Sequence, residues 1–288
     1  MINNKGRILK GIGGFYYVKS DDKLYEAKAT TLFKVNNIKL TVGDYVKFDI
    51  NDDGTAYIRD IYERKNLFIR PPVSNIDEVF IVISIDKPKY NYQLIDRMIL
   101  LSRFNGIEPT IILNKMDLNP ETSEKVYSDY TEAGFKVLTC SMYDLESINK
   151  IKNYISKKTI LFMGVSGVGK STLISELTNL NLETGVVSEK TSRGKHTTRH
   201  VELLNYSEDS YIVDTPGFSS LSIDFIPDIY DLEELYSEYN AYDGCKFLNC
   251  MHINEPSCSV KNNVKNGNLK EFRYENYVYF HEEIKKRR

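Results

Sequence analysis

The 288-residue chain has no apolar run long enough to cross a bilayer. Its strongest, VFIVISI from Val79 to Ile85, falls far short of the ~20 residues that a spanning helix needs. The opening residues MINNKGRILKG carry no apolar signal core, so a cytoplasmic chain with no membrane partner is expected. Net charge is also nearly absent: 38 basic against 40 acidic residues leave −2. Bulk attraction to nucleic acid is thereby excluded, and any such binding must use local basic patches. The candidates are the tail KKRR, Lys285 to Arg288, and the loop carrying Arg193, Lys195 and Arg199; the alternative is a solvated tail and a merely polar loop. Internal repeats and low-complexity segments are missing. Cysteine and histidine are scarce, four of each, which makes their placement informative.

What is present is an ordinary globular balance, 41% hydrophobic and 27% charged residues, enough to bury a real core in two or three domains. From Lys5 to Tyr62, short alternating segments (GRILKG, GFYYVKS, KLYEAKA, IKLTVGDYVKFDI, TAYIRDIY) are separated by Gly, Asp and Asn turns. Five strands in so short a span predict a small antiparallel barrel of the OB type, with an SH3-like barrel as the alternative. After a linker with a Pro-Pro pair, apolar strands alternate with helical stretches, the rhythm of a mainly parallel sheet covered by helices. The expected fold is multi-domain: an OB-type barrel over 1–68, an α/β P-loop domain over 69–226, and a helical zinc-binding domain over 227–288.

Chemistry is concentrated in a few motifs. GVSGVGKST, Gly164 to Thr172, follows the apolar strand TILFM and matches G-x-x-x-x-G-K-[ST]. Its glycines let backbone amides turn towards phosphate oxygens, Lys170 reaches the outer phosphates and Ser171 can hold magnesium. The candidate contacts are Gly164, Val165, Ser166, Gly167, Val168, Gly169, Lys170, Ser171 and Thr172. NKMD, Asn114 to Asp117, names the base, because Asp117 can accept two hydrogen bonds from guanine that adenine cannot supply. Asn114 and Lys115 support the loop and the ring, and Met116 is carried as a further candidate contact. DTPGF, Asp214 to Phe218, places Asp214 near the magnesium shell and the amide of Gly217 near the terminal phosphate. Phe218 stands where Ras-like enzymes place a water-orienting glutamine, so another group must position the water. In TSRGKHTTRH, Thr197 or Thr198 could complete the magnesium shell, Thr198 being carried as the ligand. His196 beside them is the candidate for orienting water; the other reading of His196 is a basic loop residue that only touches a partner. TCSM, Thr139 to Met142, ends a strand and either lines the base pocket through backbone amides or is a plain strand end with a buried Cys140.

The base-reading motif precedes the phosphate motif, the reverse of the usual order. The same sheet with its ends joined and reopened elsewhere would produce this, so the GTPase core is expected to be circularly permuted. Near the C-terminus, Cys245, Cys250, His252 and Cys258 offer three thiolates and an imidazole, the donor set of a closed tetrahedral zinc site. One structural zinc is expected, since a cytoplasmic compartment disfavours disulfides; unliganded loop cysteines are the alternative.

Barrel, permuted motifs and Cys3His cluster together resemble the ribosome-small-subunit-dependent GTPase A (RsgA) family over almost the whole chain, including RPPVSNIDEVFIVIS in the linker and first sheet strand. The resemblance implies hydrolysis of GTP to GDP with Mg2+, stimulated by the small ribosomal subunit, a role in late subunit maturation, and rRNA contacts from the barrel and zinc domains. A monomer that leaves the subunit after hydrolysis is expected. Two positions depart from the family pattern: Lys195 stands where the loop usually has arginine, and TCSM is a loose version of the Ser-Ala base loop. Two other classes compete: a nucleic-acid-binding module holding GTP only structurally, and an ATP-dependent phosphotransferase, against which NKMD argues.

Overall fold

The structure is a computed structural model that describes residues 4–178, 201–215, 220–242 and 244–287. Among the described residues no helix is long and apolar enough to cross a membrane. The chain divides into two compact units, one of Met1–Val79, Asn149–Phe162 and Ser171–Pro216, the other of Phe80–Ile148, Met163–Lys170 and Gly217–Arg288.

The first unit opens with the barrel. Strands β1 (Asn4–Ile12), β2 (Phe15–Ser20), β3 (Lys23–Ala29), β4 (Tyr45–Ile50) and β5 (Ala56–Ile61) close in the order β1-β2-β3-β5-β4. β3 and β5 run parallel and β1 meets β4 antiparallel, which is the Greek-key closure of an OB-type barrel rather than an SH3-like one. Alternation in these strands sends Ile8, Val18, Ala27, Val46, Phe48 and Ile58 into a common core capped by Phe33 of the short helix α1 (Thr31–Val35). The Pro-Pro linker forms a small hairpin of β6 (Leu67–Ile69) and β7 (Pro72–Ser74). Buried Asp44 fastens it: its carboxylate accepts from Arg64 Nε at 2.6 Å, Ser74 Oγ at 2.7 Å and the Thr41 amide at 2.7 Å.

Six further strands form one sheet: β8 (Glu78–Ser84), β9 (Thr110–Asn114), β10 (Lys136–Cys140), β11 (Thr159–Met163), β12 (Leu203–Ser207) and β13 (Ser210–Asp214), in the order β10-β9-β8-β11-β13-β12. The pairs β8–β9, β9–β10 and β11–β13 are parallel; the edge strand β12 is antiparallel to β13. β8, β9 and β11 are buried along their whole length, as continuous apolar runs covered on both faces must be. Within the first unit, the barrel residue Arg7 lays its guanidinium over Tyr211 of β13 at 4.5 Å, and Lys10 pairs with Glu202 at 2.8 Å.

In the second unit α2 (Tyr92–Phe104) follows β8 and α3 (Pro120–Glu132) follows β9. Both start where the sequence provides a cap: Asn91 Oδ1 accepts from the Leu94 amide, and Asn119 Oδ1 from the Thr122 amide with Pro120 just inside. In chain order α4 (Leu145–Ile155) precedes β11 and α5 (Lys170–Thr178) follows it, most of each lying in the first unit. The C-terminal part comprises α6 (Ile229–Leu235), α7 (Ser259–Lys265) and α8 (Glu271–Lys285), with α6 started by a reciprocal Asp228–Asp231 capping box.

Charged groups lie buried where α2 meets α8. Arg273 of α8, 2% exposed, places Nη1 2.6 Å from Asp96 of α2, which is fully buried. Its Nε donates to Glu238 at 2.8 Å, Glu238 also accepts from Arg103 at 2.6 Å, and Asn276 donates to Asp96 at 2.8 Å. Burial works against the charge on Arg273, but Asp96 and Glu238 outweigh it and raise its pKa well above the ordinary arginine value.

Candidate nucleotide site and metal cluster

The fully buried strand β11 delivers the chain into the loop Gly164–Gly169, and Lys170 begins α5. Two glycines there are demanded by neighbours. A Cβ on Gly164 would stand 2.6 Å from the Val82 carbonyl of β8, and one on Gly169, at φ +89°, would collide with Asn114 Nδ2. Val168 and Lys170 are buried, Val165 and Ser171 half-buried, and Ser166, Gly167 and Thr172 exposed.

Asn114 and Lys115 clasp this loop from the end of β9. Asn114, 1% exposed, donates from Nδ2 to the Val168 carbonyl at 2.9 Å, while its Oδ1 accepts from the Lys115 amide at 2.9 Å. Lys115 has left-handed backbone, φ 61°. Its Nζ donates to the carbonyls of Gly167, at 2.9 Å, and Lys87, at 2.6 Å. The first two residues of NKMD thus fix the phosphate loop against the base-reading loop. Asp117 lies in the 3-10 turn Met116–Leu118 with its carboxylate in the open, where a base edge can reach it. Met116 is half-buried beside it.

Sequence reasoning looked to backbone amides of TCSM. The structure shows a different link: Ser141 Oγ donates to Asp117 Oδ1 at 2.7 Å, and the Ser141 amide turns to Ser147 Oγ at 3.4 Å. The signal for this link was a hydroxyl residue one position beyond a strand parallel to that of NKMD. Cys140 is 1% exposed, and burial pushes its thiol up to about 12, so it is inert.

Of the remaining predicted residues, Asp214 is half-buried at the end of β13 in the first unit. Ser171 and Thr172 also belong to that unit. His196, Thr197, Thr198, Gly217 and Phe218 lie outside the described residues.

The cysteine cluster assembles as a group: one ligand atom from each of Cys245, Cys250, His252 and Cys258 lies within 4.8 Å of the others. Cys245 Sγ is 3.9 Å from Cys258 Sγ and 3.7 Å from His252 Nδ1, and His252 Nδ1 is 3.3 Å from Cys258 Sγ. Tetrahedral zinc with bonds of ~2.3 Å to sulfur and ~2.0–2.1 Å to nitrogen would separate its ligands by about 3.6–3.8 Å, so the donor set and its spacing can hold a metal ion of this kind. Nδ1 of His252 faces the thiols, while Nε2 lies 3.4 Å from Glu233 Oε1, as a metal-bound imidazole requires of its second nitrogen. α8 supports the loop from behind: Tyr274 and Tyr277 donate their hydroxyls to the carbonyls of His252, at 2.7 Å, and Met251, at 2.9 Å.

A family model described as RsgA GTPase matches residues 61–224, and one described as RsgA N-terminal domain matches residues 5–58. The chain belongs to the RsgA GTPase family. It is a GTPase, and its motif order on the observed sheet is that of a circularly permuted one. A curated relative in Alkaliphilus metalliredigens, named small ribosomal subunit biogenesis GTPase RsgA, is 39% identical over 290 residues, covering 99% of each chain. Among solved structures, YloQ, described as a circularly permuted GTPase, is similar at 34% identity with a TM-score of 0.81, over 100% of this chain and 96% of that one. YjeQ from Thermotoga maritima is similar at 29% identity with a TM-score of 0.86 over the full length of both.

Proposed function

We propose that this GTPase binds the small ribosomal subunit, acts in its late maturation, is stimulated by the subunit and leaves after hydrolysis. The observation that carries the GTP site is the clasp of Asn114 and Lys115 on the carbonyls of Val168 and Gly167, with Asp117 open beside it. The subunit as partner rests on the name borne by the relatives.

In this reading Asp117 accepts the guanine edge, and the amides of Gly164 to Thr172 with Lys170 hold the phosphates. Ser171 and Thr198 hold magnesium, which supplies charge neutralisation at the transferred phosphoryl group. Asp214 supports that shell, Gly217 senses the terminal phosphate, and His196 orients the attacking water. The division into 1–68, 69–226 and 227–288 assigns rRNA contacts to the barrel and to the zinc domain, whose single zinc is structural. The protein works in the cytoplasm as a monomer.

The test is GTP turnover with and without purified small subunits. Slow intrinsic hydrolysis raised by subunits is expected, and no stimulation would overturn the reading. His196→Ala should leave GTP affinity and subunit binding intact while lowering stimulated turnover by roughly 10²-fold or more, the range for a positioned acid or base. Full stimulated activity in that variant would assign the task to the partner.

A further inference from the structure

Asp117 can read the edge of a base but offers nothing to its faces. A purine transferred from water needs its faces covered, because they are apolar and polarisable. The rim around Asp117 carries large side chains left in water. Tyr143 is 90% exposed, Leu145 68% and Leu118 53%. Leu118 directly follows Asp117; the segment from Ser141 to Leu145 is tied to Asp117 through the Ser141 hydroxyl at 2.7 Å.

The backbone beneath Tyr143 is fixed. The Asp144 amide donates to the Ser141 carbonyl at 3.0 Å, closing a four-residue turn with Tyr143 at its corner. The Tyr143 amide donates to Ser141 Oγ at 3.3 Å, the same oxygen that donates to Asp117. On the far side, Asp144 Oδ1 accepts from the Glu146 amide at 3.0 Å, and the Asp144 carbonyl accepts from Ser147 Oγ at 2.8 Å. An aromatic ring is therefore held out on a pinned turn, two residues from the group that orients the base-reading carboxylate. A tyrosine has only two side-chain torsions to order, so little entropy opposes its use as a cover.

We propose that Tyr143 is a base-stacking residue of the nucleotide site, closing over one face of the guanine whose edge Asp117 reads. The inference rests on the assignment of Asp117 to the base. Tyr143 contributes affinity rather than choice, since every purine has a face; Asp117 contributes choice. Leu118 and Leu145 extend the same apolar rim.

The experiment uses the full chain and GDP as probe. Tyr143→Ala should weaken GDP binding about tenfold, within the range for loss of one base–aromatic stack, and Tyr143→Phe should retain wild-type affinity. The 288 residues contain no tryptophan, so Tyr143→Trp introduces a unique indole whose emission should change saturably as GDP is added. Asp117→Asn is measured in parallel for its shift towards xanthosine diphosphate. In that background Tyr143→Ala should weaken xanthosine diphosphate by the same factor. Undiminished GDP affinity in Tyr143→Ala, or a GDP-insensitive indole, overturns the stacking role while a normal Asp117→Asn shift leaves the base assignment standing. If Asp117→Asn changes no preference, the base assignment fails and the stacking role falls with it.

Discussion

The clasp around Asn114 and the charge cluster around Arg273 belong to the same compact unit, and both are made from polar side chains. In the clasp, side chains satisfy backbone carbonyls: Asn114 takes Val168, and Lys115 takes Gly167 and Lys87. Asp117 remains open to solvent. In the cluster, side chains satisfy one another, Arg273 and Arg103 against Asp96 and Glu238, with Arg273 and Asp96 out of reach of water. The first arrangement shapes a loop for a ligand; the second fixes how helices pack. Perturbation should separate the two, with affinity following the clasp and stability following the cluster and the metal site beside it.

The largest effect should come from the metal. Structural zinc in small sites supplies about 10–16 kcal/mol of apparent free energy, more than the few short helices around Cys245–Cys258 could replace. Metal analysis of reduced protein should find one zinc per chain, and Cys250→Ser should make the C-terminal part protease-sensitive. Chelation should release three thiols to a disulfide reagent, with Cys140 appearing only on unfolding. Absence of zinc from fresh protein would remove the structural-metal half of the comparison.

Next in size is Arg273→Met, which leaves Asp96 buried without its counter-charge. Breaking one partner of such a pair costs about 3–5 kcal/mol, to be read as a lower urea midpoint with unchanged slope. GDP affinity of the folded fraction should be unchanged. A variant as stable as wild type would show that water reaches Asp96.

The smallest effect should be Asn114→Ala. It strands the Val168 carbonyl and releases the loop, at a cost of roughly 1–3 kcal/mol for an unsatisfied buried group. That cost should appear mainly as weaker GDP binding in calorimetry. If instead stability falls and affinity holds, the clasp belongs with the cluster as packing.

The barrel was legible because its strands alternate between short turns, and the mainly parallel sheet because apolar strands alternate with helical stretches. The four candidate metal ligands were legible because sulfur is scarce. The β6–β7 hairpin was not, since a Pro-Pro pair looks like a linker until Asp44 is seen gripping Arg64 and Ser74. Nor was the buried cluster: Asp96, Arg103, Glu238 and Arg273 resemble any solvated charges in a sequence, and only the packing of α2 on α8 removes their water. TCSM was read for its backbone amides, and the link of the Ser141 hydroxyl to Asp117 was not legible beside that reading. A motif read as letters does not tell which atom of a residue faces its neighbour.

Asp96 also bears on the making of the protein. It is translated 180 residues before Asn276, which donates to its carboxylate, and Arg273 comes only slightly sooner. At the usual ~5–20 residues per second, a nascent chain holds this carboxylate without its native partners for on the order of ten seconds or more. During that interval α2 can bury this carboxyl only by neutralising it, since burial raises its pKa and Arg273, which opposes the rise, is not yet made. Chains stopped short of α8 would therefore lack both the Arg273 and the Asn276 partner of this carboxyl.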